Sequence, residues 1–332
     1  MHPDGTTISI SAGATVSSDA AVAADAAIDA HSHIWTRDVS AFPLFADVSL
    51  SDLDPGSFTA EELLAECQGA GIEKAVLITH DVFQGYDNTN LLDAVSRFPT
   101  RFRVCAIVDD REPNPAILMR QLLYQGVTGF RVDPWEKGLA MLGGDTARRA
   151  DWLSTKGMAC MWATASETRQ AICLLIDPTD LPSVDVMCAK FPDTNVVIDH
   201  FARIGVTGSI DAAQLDQLCA LAKHANVYVK CSAFYALGGK KPPYRDMLAV
   251  VKKLHAAFGA RRLMWASDCP YQLTGAAAGL ECPTEVVQHT YRDSLDVIQK
   301  HADWLIVEER QRMLSGTAQE VFFTCDFEKI IC

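Results

Sequence analysis

Two histidines, His31 and His33, lie two residues apart in the apolar segment AIDAHSHIW. If this segment is a β-strand, both imidazoles point to the same face, because side chains alternate along a strand. A pair of this kind can chelate one divalent ion, or it can direct two hydrogen-bond donors at a single oxyanion. The alternative is a strand end with two solvated histidines, so the pair needs other reactive side chains beside it.

A carboxylate and a third histidine stand at the ends of two other apolar segments. Asp268 follows LMWAS and precedes Cys269 and Pro270, so a strand must end there and present the carboxylate at its rim. Such a carboxylate can ligate a metal or act as general base for a water, and the alternative is that it orders the following loop. His200 lies in VVIDHFAR, where strand alternation predicts that Asp199 faces the helix layer if His200 points inward.

Two arginines close further apolar segments of this acidic chain. Arg131 and Arg203 can each hold a substrate carboxylate or sulfonate through paired hydrogen bonds. They can equally form structural salt bridges with the nearby Asp133 and Asp199. Both interpretations stay open from the residues alone.

The elements that must position these side chains form a regular series. Eight short apolar segments alternate with amphipathic stretches: AIDAHSHIW (27–35), KAVLITHD (74–81), FRVCAIVD (102–109), VTGFRVD (127–133), MACMWAT (158–164), NVVIDHF (195–201), VYVKCSA (227–233) and LMWASDCP (263–270). This alternation predicts the α/β class and, with eight parallel strands, a closed (β/α)8 TIM barrel whose active site lies at the C-terminal strand ends. We predict one barrel domain over residues 26–332, preceded by a short tail over residues 1–25.

Composition excludes several classes of function. The 332 residues include 42 acidic and 29 basic side chains, a net charge of −13, whereas nucleic acid and anionic membrane surfaces need clustered Lys and Arg. No apolar run approaches the roughly 18 residues that cross a bilayer, and the first residues lack a signal-peptide pattern. The 11 cysteines contain no CxxC pair, which indicates reduced thiols in a cytoplasmic protein. GxSxG, P-loop, HExxH and GxGxxG motifs are absent, which argues against those catalytic classes.

The strand ends resemble a known family when they are taken in order. AIDAHSHIW, GVTGFRV, VVIDHFAR, KCSAFYAL, MWASDCP and EERQRMLSGTAQEVFF are similar to the amidohydrolase superfamily, and more narrowly to its branch of TIM-barrel lactonases. The resemblance extends from Ala27 to Phe323. It implies a distorted, amidohydrolase-like (β/α)8 barrel in which a water attacks a carbonyl that histidines or a metal polarise.

The resemblance also assigns residues. It matches His31, His33, His200 and Asp268 to the catalytic positions of the family. The arginine pattern GxRGxR appears here as GVTGFR, so Arg131 matches the second arginine, while Thr128 replaces the first. This departure weakens the case for a dicarboxylate substrate.

The metal ligands of the wider superfamily are only partly present. The predicted fourth strand has neither Lys nor Glu and the predicted fifth strand has no His, which excludes a binuclear site on ligand count. A single divalent ion, zinc by ligand type, would be bound by His31, His33 and Asp268, with His200 as a further candidate. Catalysis by the same four residues without a metal stays open.

The function that the resemblance implies is hydrolysis of a small carboxylated or polyhydroxylated lactone. Asp268 would be the base, and the three histidines would polarise the carbonyl. The residues expected to bind the substrate are Arg131, Arg203, His80, Tyr86 and Tyr235. The alternatives are a zinc-dependent non-oxidative decarboxylase of the same superfamily and a catalytically inactive barrel that acts as a binding protein. We expect a small-molecule partner, no nucleic acid and no membrane, and the sequence is compatible with an oligomer.

Overall fold

Eight parallel strands form one sheet in the computed structural model, which describes residues 26–274 and 289–324. The strands are β1 (Ala27–Ser32), β2 (Ile72–Ile78), β3 (Phe102–Ala106), β4 (Val127–Val132), β5 (Ala171–Leu174), β6 (Val196–Ile198), β7 (Val227–Cys231) and β8 (Leu263–Trp265). Each strand pairs with its neighbours in chain order. Just beyond β8, Asp268 donates its backbone N–H to the carbonyl of His31 at 2.9 Å, which brings the two edges together. The predicted TIM barrel is confirmed.

Helices surround the sheet. They are α1 (Ala60–Ala70), α2 (Thr89–Arg97), α3 (Pro115–Leu123), α4 (Lys156–Thr168), α5 (Leu181–Lys190), α6 (Ala212–Ala220), α7 (Arg245–Phe258), α8 (Tyr271–Thr274), α9 (Tyr291–Asp296), α10 (Val307–Gln311) and α11 (Thr317–Phe322). The sequence contains residues that typically begin and end such helices. Thr59 and Glu62 form a capping box at the start of α1, and Gly71 ends that helix with a left-handed φ of 76°.

The core has two layers. Apolar residues on the inner faces of the strands fill the barrel, and Phe322 of α11 is fully buried among them. A second cluster packs the outer faces of the strands against the helices. These tightly packed layers fix the strand ends, and therefore the side chains that follow them.

The predicted fifth strand was wrong. Residues 158–164 lie inside α4, whose first turn is capped by the Thr155 hydroxyl accepting the N–H of Met158 at 2.9 Å. Ala, Met and Trp in this segment favour a helix at least as well as a strand. The true β5 is the four-residue segment AICL, so it is too short to stand out beside a 13-residue helix. This strand also lacks a histidine, so the superfamily's metal ligand on the fifth strand is absent from the true β5 as well as from the segment predicted to be β5.

Some predictions concern residues outside the described part of the chain. The proposed tail, residues 1–25, lies outside it, as do residues 275–288 and 325–332, so the single-domain organisation stays a prediction. The eight cysteines within the described ranges are free thiols. Among the described helices, none is both long enough and apolar enough to cross a bilayer.

Candidate active site

Four side chains predicted from the sequence meet at the C-terminal end of the barrel. Asp268 Oδ1 lies 3.5 Å from His31 Nε2, 3.4 Å from His33 Nε2 and 3.8 Å from His200 Nε2. All four residues are buried. The three ring nitrogens therefore surround one carboxylate oxygen.

Asp268 is held in this orientation on two sides. Its backbone adopts a left-handed φ of 69°, and the Tyr235 hydroxyl donates to Oδ2 at 2.7 Å. Oδ1 is thus left to face the histidines. Burial raises the pKa of the carboxyl group, but the surrounding histidine rings, His200 first, outweigh burial and hold the pKa well below its usual range. The carboxylate is therefore ionised at neutral pH, with Oδ1 in a position to act as an acceptor.

The partners of His31 and His33 give the two rings opposite tautomers. His33 Nδ1 lies 2.9 Å from the carbonyl oxygen of Ile78, which can only accept, so Nδ1 carries the proton and Nε2 a lone pair. His31 Nδ1 lies 3.2 Å from the ammonium of Lys230, which can only donate, so the His31 proton is on Nε2. The two Nε2 atoms are 3.2 Å apart, as a donor and an acceptor. His31 therefore presents an N–H toward His33 and Asp268.

Lys230 contacts the candidate site and was not identified from the sequence. It is fully buried in β7, and its Nζ lies 2.9 Å from Asp199 Oδ1. Burial lowers the pKa of the ammonium, but the charge of Asp199 outweighs this and the net shift is upward. The signal in the sequence was a single lysine within the strand segment VYVKC.

The position of Asp199 corrects the prediction that it faces the helix layer. It lies in the barrel interior against Lys230, while His200 also reaches the site. The strand β6 ends at Ile198, and His200 has a left-handed φ of 48°. Alternation applies only within a strand, so both side chains can face inward once the strand has ended.

A divalent ion fits the number and type of donors. One atom each from His31, His200 and Asp268 lies within 4.8 Å of the others, and two imidazoles with a carboxylate suit zinc. A metal-bound histidine usually donates its second N–H to an acceptor, whereas His31 Nδ1 here faces the Lys230 ammonium. Binding through His31 Nε2 would therefore displace the proton on that atom.

A cavity of about 280 Å³ opens above this group, and most of the predicted substrate-binding residues line it. Arg131 Nε lies 2.8 Å from Asp81 Oδ2, and Arg203 Nη1 lies 3.1 Å from Asp177 Oδ1. The arginines therefore have carboxylate partners, although not the predicted Asp133 and Asp199. His80 and Tyr235 also line the cavity, together with Tyr271, which the sequence analysis did not select.

Tyr86 is the exception among the predicted substrate contacts. The described residues that line the cavity do not include it. Its hydroxyl instead accepts a hydrogen bond from Arg111 Nη2 at 2.9 Å, and its ring lies beside Phe45. The loop after β2 carries Tyr86 away from the barrel axis, so the structure does not support its assignment to the substrate.

A buried charge cluster supports one side of the cavity. Lys137 Nζ contacts Asp133 and lies 2.8 Å from Asp81 Oδ1. The other carboxylate oxygen of Asp81, Oδ2, pairs with Arg131. Burial raises the pKa of Asp133 to about 7, and the charge of Asp81 adds to this while Lys137 opposes it. Lys137 was also missed, because its position after β4 is set by a loop.

The raised pKa of Asp133 predicts a pH-dependent stability. Between about pH 4 and pH 7 the folded protein holds a proton on this carboxyl group, whereas the unfolded chain does not. The contribution of the protonated Asp133 to the free energy of unfolding is therefore complete below about pH 4 and is lost as pH rises through about 7. Asp133→Asn imitates the protonated form. Its melting temperature should fall less than that of wild type between about pH 5 and pH 8. Exposed Asp303→Asn is the control, and an unchanged slope for Asp133→Asn would contradict this account.

Part of the cavity lining is apolar. The apolar side chains include Met141, Leu142, Leu175, Val206 and Leu237. The polar part of the described lining includes His33, His80, His200 and Asp268. The cavity therefore suits a small molecule with a polar reacting group and a less polar remainder.

Comparison with known proteins connects this site to a family. A model of the amidohydrolase family matches residues 28–324. An L-fucono-1,5-lactonase from Burkholderia ambifaria is 28% identical over 249 residues, which cover 73% of this chain and 79% of the relative. A 4-sulfomuconolactone hydrolase from Rhizobium radiobacter is 24% identical over 245 residues, which cover 73% of this chain and 75% of the relative.

Solved structures share the fold. A probable 2-pyrone-4,6-dicarboxylic acid hydrolase from Acinetobacter baumannii aligns with a TM-score of 0.68 and 19% identity, covering 90% of this chain and 99% of the other. An amidohydrolase from Burkholderia multivorans with bound zinc aligns with a TM-score of 0.69 and 18% identity at the same coverage. The resemblance inferred from the strand-end motifs is confirmed. The chain belongs to the amidohydrolase family.

Proposed function

We propose that this protein hydrolyses a small lactone and opens its ring to a hydroxy acid. The observation that carries the proposal is the ionised Asp268 Oδ1, surrounded by three histidine nitrogens at the floor of a cavity. A base beside neutral hydrogen-bonding groups is what water attack on a carbonyl requires. The lactonase and lactone hydrolase names of the two curated relatives support this choice of substrate class.

The proposed reaction assigns a separate task to each side chain. Asp268 Oδ1 accepts a proton from the attacking water. His31 turns its Nε2–H from His33 to the carbonyl oxygen and stabilises the developing negative charge. His200, whose Nδ1 lies 2.7 Å from the Ser232 hydroxyl, is held in place to orient the carbonyl. Burial lowers the pKa of His31 and of His200, so these rings act as neutral groups at neutral pH.

The cavity walls suggest how the rest of the substrate binds. Arg131 retains terminal N–H groups beyond its contact with Asp81 and can hold one carboxylate or a hydroxyl. Arg203 lies over the ring of Trp135 at the outer wall, 5.3 Å from its centroid. We propose a lactone with no more than one negative group near Arg131, because both arginines already have acidic partners.

A divalent ion, if bound, would be held by His31, His200 and Asp268, with His33 adjacent. It would supply a Lewis acid for the carbonyl oxygen. We propose that the reaction does not depend on it, because Lys230 already leaves a proton on His31 Nε2 as a donor for that oxygen. No observation in the described residues favours the zinc-dependent decarboxylase, and β5 lacks the histidine ligand expected for it.

A reaction that does not depend on a divalent ion should survive treatment with a chelator. Protein treated with a chelator and then freed of it should hydrolyse its lactone at nearly the wild-type rate, with a zinc content far below one ion per chain. Metal analysis and rate measurements on the same sample check this. Loss of activity that zinc restores would show that the ion is required and would overturn the metal-free mechanism.

The experiment that tests the function is a pH-indicator screen of purified protein over sugar lactones, muconolactones and pyrone carboxylic acids. Each ring opening releases a proton, so the signal does not depend on the identity of the substrate. The corresponding ring-opened hydroxy acids serve as blanks. We expect hydrolysis of at least one lactone, and inactivity on all of them would contradict the proposal.

A further inference from the structure

Tyr271 lies in the cavity wall, three residues after Asp268 and at the start of α8. The chain stops β8, passes Pro270 and places the tyrosine against His80 from the loop after β2. Its hydroxyl oxygen is 2.7 Å from His80 Nε2, and only 5% of the residue is exposed. Neither the sequence motifs nor the proposed reaction has so far given this side chain a task.

The direction of the hydrogen bond between these residues follows from a third partner. The backbone N–H of Phe83 donates to His80 Nδ1 at 3.1 Å, so Nδ1 is the acceptor and the ring proton is on Nε2. His80 Nε2–H must then donate to the Tyr271 oxygen. The phenolic proton of Tyr271 is consequently not used by His80 and is free to be donated elsewhere.

The packing keeps His80 neutral and in place. Its ring stacks on Phe83, with centroids 4.2 Å apart, and also lies beside Trp35. Burial, with a smaller contribution from His33, holds the pKa of His80 well below its usual range. Burial also raises the pKa of Tyr271, so its hydroxyl keeps its proton. A protonated hydroxyl oriented by a neutral imidazole is a fixed donor.

Tyr235, which also lines the cavity, has a different role. Tyr235 donates its proton to Asp268 Oδ2, so that proton is already used by the base. In the proposed hydrolysis, the carbonyl oxygen is served by His31 and His200, whereas the ring oxygen, which leaves, has no donor. An aliphatic alkoxide is about as basic as hydroxide, whose conjugate acid has a pKa of about 15.7, so a donor to this atom matters.

We propose that Tyr271 is a further catalytic residue, which donates a hydrogen bond to the leaving ring oxygen of the lactone, and that His80 is the positioning residue that orients it. This inference rests on the proposed lactone hydrolysis. The water oxygen forms a bond to the carbonyl carbon, and Asp268 takes one of its protons. The bond between that carbon and the ring oxygen then breaks, and Asp268 returns the proton to the oxygen, which Tyr271 stabilises as its negative charge develops.

The test compares leaving groups. Tyr271→Phe removes only the hydroxyl, and rates are measured on an aliphatic lactone and on a benzo-fused lactone, which releases a phenolate of conjugate-acid pKa about 10. We expect kcat to fall about 10²-fold on the aliphatic lactone and less than about tenfold on the benzo-fused one, with little change in KM. Exposed Tyr124→Phe is the matched control and should leave both rates unchanged.

Two outcomes would overturn the assignment of Tyr271. Equal losses on both lactones would show that it serves the carbonyl oxygen or the fold, and unchanged rates would show that it has no role. Failure of the proposed function itself is seen separately, since wild-type protein would then hydrolyse neither lactone.

The role of His80 is tested by a double-mutant cycle. His80→Phe removes the donor to Tyr271, and His80→Gln keeps an N–H that can reach it. We expect His80→Phe to lower kcat on the aliphatic lactone about tenfold, His80→Gln to restore part of it, and neither change to matter once Tyr271→Phe is present. Equal effects of His80→Phe in both backgrounds would show a merely structural role.

Discussion

Replacing Asp268 with asparagine is expected to lower kcat/KM for lactone hydrolysis by about 10³-fold or more, because the amide cannot accept the proton of the attacking water. Asparagine keeps the shape of the side chain and an oxygen that can accept from Tyr235. The three histidines stay in place, so substrate binding should change much less than kcat. A steady-state comparison of kcat and KM on one lactone measures both effects.

The control for Asp268→Asn is Asp303→Asn, at an exposed position, which should leave the rate unchanged. Circular dichroism of both variants tests whether the fold is retained. A folded Asp268→Asn protein with full lactonase activity would show that Asp268 is not the base. Activity retained only with added zinc would instead assign water activation to the ion.

The low pKa of Asp268 also predicts the pH profile of the wild-type enzyme. The folded carboxyl group has a pKa well below the usual 3.8, so the base stays ionised as pH falls from neutral. We therefore expect kcat/KM to show no acid limb above about pH 4, provided that the protein remains folded. An acid limb near pH 6 would point to a histidine as the base.

Replacing Lys230 with methionine is expected to destabilise the protein by about 3–5 kcal/mol, because it leaves the buried carboxylate of Asp199 without its counter-ion. Both side chains are fully buried, so water cannot replace the ammonium. Denaturant unfolding monitored by tryptophan fluorescence measures the free energy of unfolding. A loss below about 1 kcal/mol would contradict a buried, charged pair.

A second substitution separates the ion pair from simple loss of packing. Lys230→Met combined with Asp199→Leu replaces both charges by apolar side chains of similar size, and it should recover most of the stability lost in Lys230→Met. Exposed Lys300→Met serves as the control for the lysine change. If the double variant is less stable than Lys230→Met, the pair is not the cause of the effect.

The grouping of the candidate site residues could be predicted from the sequence because each of them lies in a strand or shortly after one. His31, His33 and Asp268 sit beside apolar runs, and a parallel barrel brings such strand ends to one rim. The barrel itself follows from seven correctly placed segments. Local pattern was sufficient for His31, His33, His200 and Asp268, each of which lies within three positions of a strand end.

The rest depended on geometry that the pattern does not contain. Alternation misplaced Asp199, because the chain leaves the strand at Ile198 and turns through left-handed residues. The fifth strand was lost because its four residues are shorter than the helix beside it. The same limit explains Tyr86 and Tyr271: both follow strand-end residues, but only the turn after Pro270 carries its tyrosine back over the cavity.

The most direct test of lactone hydrolysis follows an isotope from water into product. Purified protein is incubated with its lactone in ¹⁸O-labelled water, and the product is analysed by mass spectrometry. The account predicts a ring-opened hydroxy acid that has gained one labelled water, with the heavy oxygen in the new carboxylate and none in the alcohol. Release of carbon dioxide without incorporation of the label, or label in the alcohol, would contradict it.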